Sequence, residues 1–119
     1  MAHILVAEDE PSVGQLVMRA LTHFGHEVTL VEDGGAALDA LGKAPFDLLL
    51  TDIVMPVMDG IALALAVASE YPGLRVLMMT GFAAEKQRAH NLDVLIHDVI
   101  SKPFTMDQLR GAVTAALAA

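Results

Sequence analysis

Short apolar runs alternate with polar, turn-rich segments along the whole chain. Runs rich in Val, Ile and Leu predict buried strands at residues 3–7, 27–31, 47–51, 75–79 and, within the stretch 94–101, most simply 98–101. Segments with helical patterning follow them, at about residues 11–24, 33–41, 61–70, 83–91 and 105–117. This alternation predicts an α/β fold, a doubly wound five-stranded parallel sheet with helices on both faces.

Several predicted helices carry sequence signals at their ends or along one face. Asp33 is a candidate N-cap for the second helix, and Thr105 with Gln108 forms a capping box at the start of the last one. The first and last helices each show an apolar stripe, which we expect to face the core. The stripe residues are Val13, Leu16, Val17, Ala20, Leu21 and Phe24, then Met106, Leu109, Val113 and Leu117.

Composition and charge argue against several classes of function. The 119 residues carry a formal net charge of −8, and the seven Lys and Arg are scattered, so no nucleic-acid or membrane partner is expected. Cysteine is absent, which excludes disulfides and Cys-bound zinc. The sequence shows no signal peptide, and its longest apolar run, residues 61–68, is too short to span a bilayer. We predict one domain over residues 1–119, without an output domain, in the cytoplasm.

Chemically active side chains follow four of the five predicted strands. Glu8 and Asp9 follow the first strand, Asp52 the third, Thr80 the fourth and Lys102 the fifth. The carboxyl ends of parallel strands share one edge of the sheet, where α/β proteins bind ligands, so these residues are expected to converge. Clustered carboxylates repel one another, and Mg²⁺, which prefers oxygen ligands, would relieve that repulsion.

Together these groups suit phosphoryl transfer. Asp52 is the candidate nucleophile, because a carboxylate can form an acyl phosphate. A metal ion, the Lys102 ammonium and the Thr80 hydroxyl would stabilise the charge of the transferred group. Each signal alone has a simpler explanation, since acids are favoured near a helix N-terminus and Lys102-Pro103 would end a strand. Their joint placement at strand ends favours the functional interpretation.

Taken in order, the motifs resemble those of the receiver domain of two-component response regulators. They are Glu8-Asp9, Asp52 with Met55-Pro56 and Asp59-Gly60, Thr80-Gly81, and Lys102-Pro103-Phe104. The resemblance covers the chain from end to end and implies a flavodoxin-like, CheY-like (βα)5 fold. It also implies that a histidine kinase or a histidine phosphotransfer protein phosphorylates Asp52. Such a protein catalyses its own phosphorylation and dephosphorylation and is not an enzyme with a separate substrate.

The same resemblance implies a role for each site residue. The implied Mg²⁺ ligands are Asp9, Asp52, the backbone carbonyl of Val54 and, mainly through a metal-bound water, Glu8. The implied phosphoryl-binding residues are Thr80 and Lys102.

One position departs from the family pattern. Val99 stands three residues before Lys102, where the family commonly has Tyr or Phe. The usual relay of the signal through a rotating aromatic ring is therefore absent. The helix predicted at residues 83–91 has a thin apolar face, and it is the candidate to carry the signal instead.

Residues 46–56 and 79–84 also resemble the CpdR type of free-standing, single-domain regulator, which controls proteolysis by the ClpXP protease. The downstream partner would then be ClpXP or its substrates. A phosphorelay shuttle, which passes the phosphoryl group on to a histidine phosphotransfer protein, would use the same site residues and is not separated from an adaptor by them. A phosphohydrolase of the haloacid dehalogenase type needs a second aspartate two residues after the nucleophile, and Val54 at that position argues against it.

Overall fold

Five strands and five helices alternate along the chain in a computed structural model that describes residues 2–92 and 94–119. The strands are β1 (His3–Ala7), β2 (Glu27–Val31), β3 (Leu48–Asp52), β4 (Arg75–Thr80) and β5 (Asp98–Ser101). The helices are α1 (Pro11–His23), α2 (Gly34–Leu41), α3 (Gly60–Glu70), α4 (Ala83–His90) and α5 (Met106–Ala118). Within the described ranges, no helix is long and apolar enough to cross a membrane.

All five strands are parallel and form one sheet in the order β2-β1-β3-β4-β5. The central strand, β3, is buried along its whole length. Successive side chains of a strand point to opposite faces. Leu49 accordingly packs with residues of α2, α3 and α4, whereas Leu48 and Leu50 pack with residues of α1 and α5. The predicted doubly wound α/β fold is confirmed.

The predicted caps of two helices are confirmed. Asp33 Oδ1 accepts a hydrogen bond from the backbone N–H of Ala36 at 2.8 Å, so this side chain satisfies a free donor at the start of α2. Thr105 and Gln108 form the reciprocal capping box at the start of α5, with hydrogen bonds of 2.8 and 3.1 Å.

Several element boundaries lie one residue away from the predicted ones. Helix α3 begins at Gly60 rather than at about residue 61, because Asp59 caps it by accepting a hydrogen bond from the Ala62 N–H at 2.8 Å. Two strands also differ from their predicted bounds. Strand β3 covers Leu48–Asp52 rather than 47–51, and β4 ends at Thr80 rather than at residue 79. Helix α4 ends at His90 rather than at residue 91.

The apolar stripes of α1 and α5 face the core only in part. Leu16 is 54% exposed and Met106 39% exposed, so the prediction that they face the core was wrong. Both side chains line an open cleft of about 510 Å³ where α1 and α5 cover the same face of the sheet. These two members of the stripes therefore stay in contact with solvent.

The loop from β3 to α3 closes tightly over Asp52. The Gly60 N–H donates to the Ile53 carbonyl at 2.7 Å, which brings the start of α3 back against the end of β3. A side chain at Gly60 would collide with the carbonyl oxygen of Asp52. Glycine at this position therefore allows the close approach of the two backbones.

Val57 is strained within this loop. Its φ is +69°, and the Met58 N–H donates to the Pro56 carbonyl at 2.7 Å, which makes a three-residue turn. A β-branched residue rarely adopts a positive φ because its Cβ crowds the backbone. The Val57 side chain is 86% exposed, so its removal should cost little packing.

Replacing Val57 with glycine should raise the free energy of unfolding by about 1 kcal/mol. Relief of the unfavourable φ is worth about 1–3 kcal/mol, and the greater freedom of glycine in the unfolded chain offsets about 0.5–1 kcal/mol of it. Urea denaturation measures the difference. Val57→Ala keeps a Cβ at the same φ and should gain less. A Val57→Gly variant no more stable than the parent would contradict the strain.

Candidate functional site

The carboxyl edge of the sheet carries all the predicted site residues. Asp52 ends the central strand β3. On one side β1 leads into Glu8 and Asp9, and on the other side β4 ends at Thr80. Lys102 follows β5, which lies beyond β4. The chain order reverses between β1 and β3, which is where a doubly wound sheet opens a ligand crevice.

Lys102 joins the first and third strand ends. Its Nζ donates to Asp52 Oδ2 at 3.0 Å and also forms an ion pair with Glu8 Oε1. The remaining carboxylate oxygens accept backbone hydrogen bonds, Asp52 Oδ1 from Ile53 at 2.8 Å and Glu8 Oε2 from Glu10 at 3.2 Å. Both carboxylates are buried, so these contacts hold their orientation against solvent.

Two carboxylates share one ammonium, and the pKa values of Glu8 and Lys102 are both shifted in this buried group. Burial raises the pKa of Glu8 to about 7, although the hydrogen bond from Lys102 acts in the opposite direction. For Lys102, burial lowers the pKa, but the hydrogen bonds to Glu8 and Asp52 and the charges of these two acids together raise it. Lys102 therefore stays charged at neutral pH, where Glu8 exchanges a proton.

Three carboxylates are placed for a shared cation. Glu8, Asp9 and Asp52 each offer an oxygen, and these three atoms lie within 4.8 Å of one another. Glu8 and Asp52 are buried and Asp9 is exposed, so the cluster opens to one side. Three carboxylates and one Lys102 ammonium sum to a formal charge of −2 when all are ionised. An all-oxygen donor set with this charge fits Mg²⁺.

Thr80 is buried at the end of β4, and its Oγ1 accepts a hydrogen bond from the Phe82 N–H at 3.1 Å. A hydroxyl that accepts one hydrogen bond keeps its own proton for donation. The predicted convergence of the five site residues on one sheet edge is therefore found. Their individual roles stay predictions.

An open cleft of about 620 Å³ leads to the carboxylate cluster. Phe82 is 61% exposed and Val54 46% exposed, and both line the cleft, so its rim is partly apolar. The sequence did not identify Phe82 as a lining residue, nor Pro11, which lines the cleft together with Asp9 and Glu10. Their positions just after two strand ends were the signal that could have found them.

A protein-family model described as the response regulator receiver domain matches residues 4–114. The chain belongs to the response regulator receiver domain family. Receiver domains generally bind Mg²⁺ at an acidic pocket, and this structure has an acidic cluster formed by Glu8, Asp9 and Asp52.

Curated relatives include free-standing and longer receiver proteins. The response regulator receiver protein CpdR of Brucella abortus is 40% identical over 109 residues, which cover 92% of this chain and 91% of CpdR. The transcriptional regulatory protein TcrA of Mycobacterium tuberculosis is 37% identical over 106 residues, which cover 89% of this chain but 42% of TcrA. The match therefore covers nearly the whole length of CpdR but less than half the length of TcrA.

Solved receiver structures share the fold over nearly the whole chain. The chemotaxis response regulator CheY4 of Vibrio cholerae has a TM-score of 0.88 at 31% identity, with 98% of each chain covered. NtrX of Brucella abortus has a TM-score of 0.90 at 31% identity, covering 98% of this chain and 27% of NtrX. TrrA of Thermotoga maritima, solved in complex with Mg(2+)-BeF, has a TM-score of 0.89 at 26% identity, covering 98% of this chain and 99% of TrrA.

Proposed function

We propose that this receiver domain is a phosphorylation-controlled switch in which Asp52 accepts a phosphoryl group from a phosphohistidine. The observation that carries the proposal is the placement of Asp52, which lies 3.0 Å from the Lys102 ammonium and beside two further carboxylates. The donor is a histidine kinase or a histidine phosphotransfer protein, the class of partner that the receiver family implies.

The hydrogen bonds of Asp52 orient its carboxylate for this reaction. Oδ1 is held by the Ile53 N–H and Oδ2 by Lys102. In the transfer, a carboxylate oxygen bonds to phosphorus while the P–N bond of phosphohistidine breaks, and the electron pair of that bond stays on the imidazole nitrogen. The Lys102 ammonium and the Thr80 hydroxyl then donate hydrogen bonds to the oxygens of the transferred group.

The proposed metal site uses the three carboxylates and one backbone group. Asp9, Asp52 and the carbonyl of Val54 would hold Mg²⁺, and Glu8 would act mainly through a metal-bound water. Val54 lines the same cleft as Asp9 and Asp52, which supports this assignment. When bound, the ion supplies positive charge against the carboxylates and the phosphoryl oxygens. The chain itself supplies the excess negative charge that attracts a divalent cation.

Magnesium affinity should rise with pH around neutrality. The pKa of Glu8 is raised to about 7, so Glu8 is mostly protonated below that pH and mostly charged above it. Because the cation favours the charged form, affinity should increase roughly tenfold between about pH 6 and pH 8. Titration calorimetry at several pH values measures this. Glu8→Gln should flatten the dependence, and a flat profile in the wild type would contradict the assignment.

The acyl phosphate returns to the ground state when water attacks phosphorus, which releases inorganic phosphate and restores the Asp52 carboxylate. The chain then acts only on its own aspartate and needs no separate substrate, so it is a switch rather than an enzyme. We place the function in a single receiver domain acting in the cytoplasm. The match to CpdR over 91% of that protein supports the single-domain assignment.

For the downstream pathway, we propose the CpdR-type role, in which phosphorylation decides whether ClpXP receives its substrates. The similarity to CpdR over 92% of this chain supports the proposal. Purified ClpX should bind the wild type differently with and without acetyl phosphate, and Asp52→Ala should not respond. Recovery of a histidine phosphotransfer protein as the acceptor of the phosphoryl group, with no effect on ClpX, would instead indicate a phosphorelay shuttle.

Labelling with a small phosphodonor tests the proposed function. Incubation with acetyl phosphate and Mg²⁺ should add the mass of one phosphoryl group. Acetyl phosphate supplies the phosphoryl group, and Asp52 supplies the carboxylate that attacks it. Chelation of the metal with EDTA should prevent the addition. Absence of labelling with Mg²⁺ would refute the function, and labelling that persists in EDTA would refute the metal assignment.

A further inference from the structure

Helix α4 has few apolar contacts with the rest of the domain. Ala89 is the one buried residue among its eight, all of which the structure describes. Its middle carries four polar residues in succession, 85–88. A weakly packed helix lies at the low-stability end of a structure, where small free energies decide whether it is docked. The polar contacts of α4 therefore have a large influence on its position.

Two of these contacts end at or beside a site residue. The backbone N–H of Phe82, the N-cap of α4, donates to Thr80 Oγ1 at 3.1 Å. Lys86 Nζ donates to Ser101 Oγ at 2.9 Å, and Ser101 immediately precedes Lys102. A shift of Thr80, or of Lys102 with the adjacent Ser101, would therefore change a hydrogen bond that holds α4.

A third contact joins α4 to the loop that follows Asp52. Arg88 Nη1 pairs with Glu85 one turn earlier in α4, and Arg88 Nη2 lies 3.9 Å from Asp59 Oδ2. We call these three residues the Arg88 bridge. Asp59 also caps α3 through its other oxygen, which bonds the Ala62 N–H at 2.8 Å. The bridge therefore connects two helices through one carboxylate.

Asp59 is rigidly connected to the proposed phosphoacceptor. The next residue, Gly60, donates to the Ile53 carbonyl at 2.7 Å and approaches the Asp52 carbonyl so closely that no side chain would fit. These contacts hold Asp59 next to the backbone of Asp52 and Ile53. The Arg88 bridge thus connects α4 to the part of this loop that is anchored beside Asp52.

We propose that the Arg88 bridge couples α4 to the loop after Asp52, holding the helix docked in the unphosphorylated protein and giving way on phosphorylation. The proposal rests on the proposed phosphorylation of Asp52. A phosphoryl group there attracts the Thr80 hydroxyl and the Lys102 ammonium, the groups at or beside which the other two contacts of α4 end.

The small free energy of an exposed ion pair suits a contact that must break during switching. Arg88 is half exposed, and exposed ion pairs of this kind change an equilibrium about 1.5- to fivefold. Such a contact biases a thinly packed helix but cannot hold it once its other contacts are withdrawn. Val99 is buried in β5 and has an apolar side chain, so it supplies no hydrogen bond to replace them.

Amide hydrogen exchange of α4 in the unphosphorylated protein tests the bridge. Arg88→Gln should raise exchange about 1.5- to fivefold, and Asp59→Asn, which keeps a capping side chain on α3, should do the same. The double variant should show no further increase over Arg88→Gln, because that change already removes the contact with Asp59. Arg19→Gln, at an exposed arginine on α1, should leave α4 unchanged. Unchanged exchange in Arg88→Gln, or additive effects in the double variant, would overturn the proposal.

Labelling with acetyl phosphate and Mg²⁺ tests the switch, with the fraction labelled measured by intact mass in the same samples. Exchange of α4 should increase when the wild type is labelled, and increase less in Arg88→Gln, where the bridge is already absent. Equal increases in the two proteins would overturn the coupling. A wild type that takes up no label would refute phosphorylation of Asp52 and with it the switch. The exchange measurements on the unphosphorylated variants test the Arg88 bridge independently of that result.

Discussion

Asp52→Asn should abolish labelling by acetyl phosphate in the presence of Mg²⁺. The carboxamide lacks the anionic oxygen that attacks phosphorus, and it removes one of the charges that attract the cation. The substitution keeps the side-chain shape and leaves an oxygen to accept the hydrogen bond from Ile53. It also removes repulsion from Glu8, so the folded state should persist. Intact mass spectrometry measures the labelling.

The matched control for this variant is Asp39→Asn. Asp39 is an exposed acid on α2, so the variant carries the same change of charge away from the site. It should be labelled as the wild type is. If Asp52→Asn were labelled while folded, Asp52 would not be the phosphoacceptor.

Asp9→Asn should weaken Mg²⁺ binding by about 10- to 100-fold. Asp9 contributes one of the three clustered carboxylate oxygens, and loss of a charged ligand lowers the affinity of an all-oxygen site. Its side chain is exposed, so the substitution should cost little stability. Calorimetric titration of Mg²⁺ measures the affinity, and labelling at low Mg²⁺ should fall in parallel.

Glu10→Gln is the control that distinguishes loss of a metal ligand from loss of a nearby negative charge. Glu10 is the next residue, is also exposed and lines the same cleft, but it is not in the carboxylate cluster. This variant should bind Mg²⁺ within about threefold of the wild type, the size of a screened surface charge effect. Equal losses in Asp9→Asn and Glu10→Gln would show that Asp9 acts only through its charge.

The fold was predictable because each strand is a short apolar run between turn residues. Leu48, Leu49 and Leu50 show this best, since a strand covered on both faces has no polar alternation to obscure it. Boundaries were less predictable. The pattern predicts α3 from about residue 61, and only the hydrogen bond from the Ala62 N–H to Asp59 shows that Asp59 caps the helix at Gly60.

The convergence of the site was predictable from topology alone, because parallel strands end at one edge. The contacts within it were not. Sequence order places Lys102 after β5 but cannot show that its ammonium bridges Glu8 and Asp52, 94 and 50 residues away. The contact from Arg88 to Asp59 was equally unpredictable, since it depends on the position of α4 relative to the start of α3 rather than on any local pattern.

The exposed positions of Leu16 and Met106 show the limit of apolar periodicity. The pattern identifies the face of a helix that turns towards the sheet, but not how much of that face the sheet covers. Leu16 of α1 and Met106 of α5 line the same open cleft, and the pattern within a single helix does not contain the position of its neighbour.

Mapping the phosphorylated residue tests the central claim most directly. Borohydride reduces an aspartyl phosphate to homoserine, which tandem mass spectrometry locates in the sequence. After treatment with acetyl phosphate and Mg²⁺, we expect homoserine at Asp52 and none when EDTA is present. Homoserine at Asp9 or at any other aspartate, with Asp52 unmodified, would contradict the assignment of Asp52 as the phosphoacceptor.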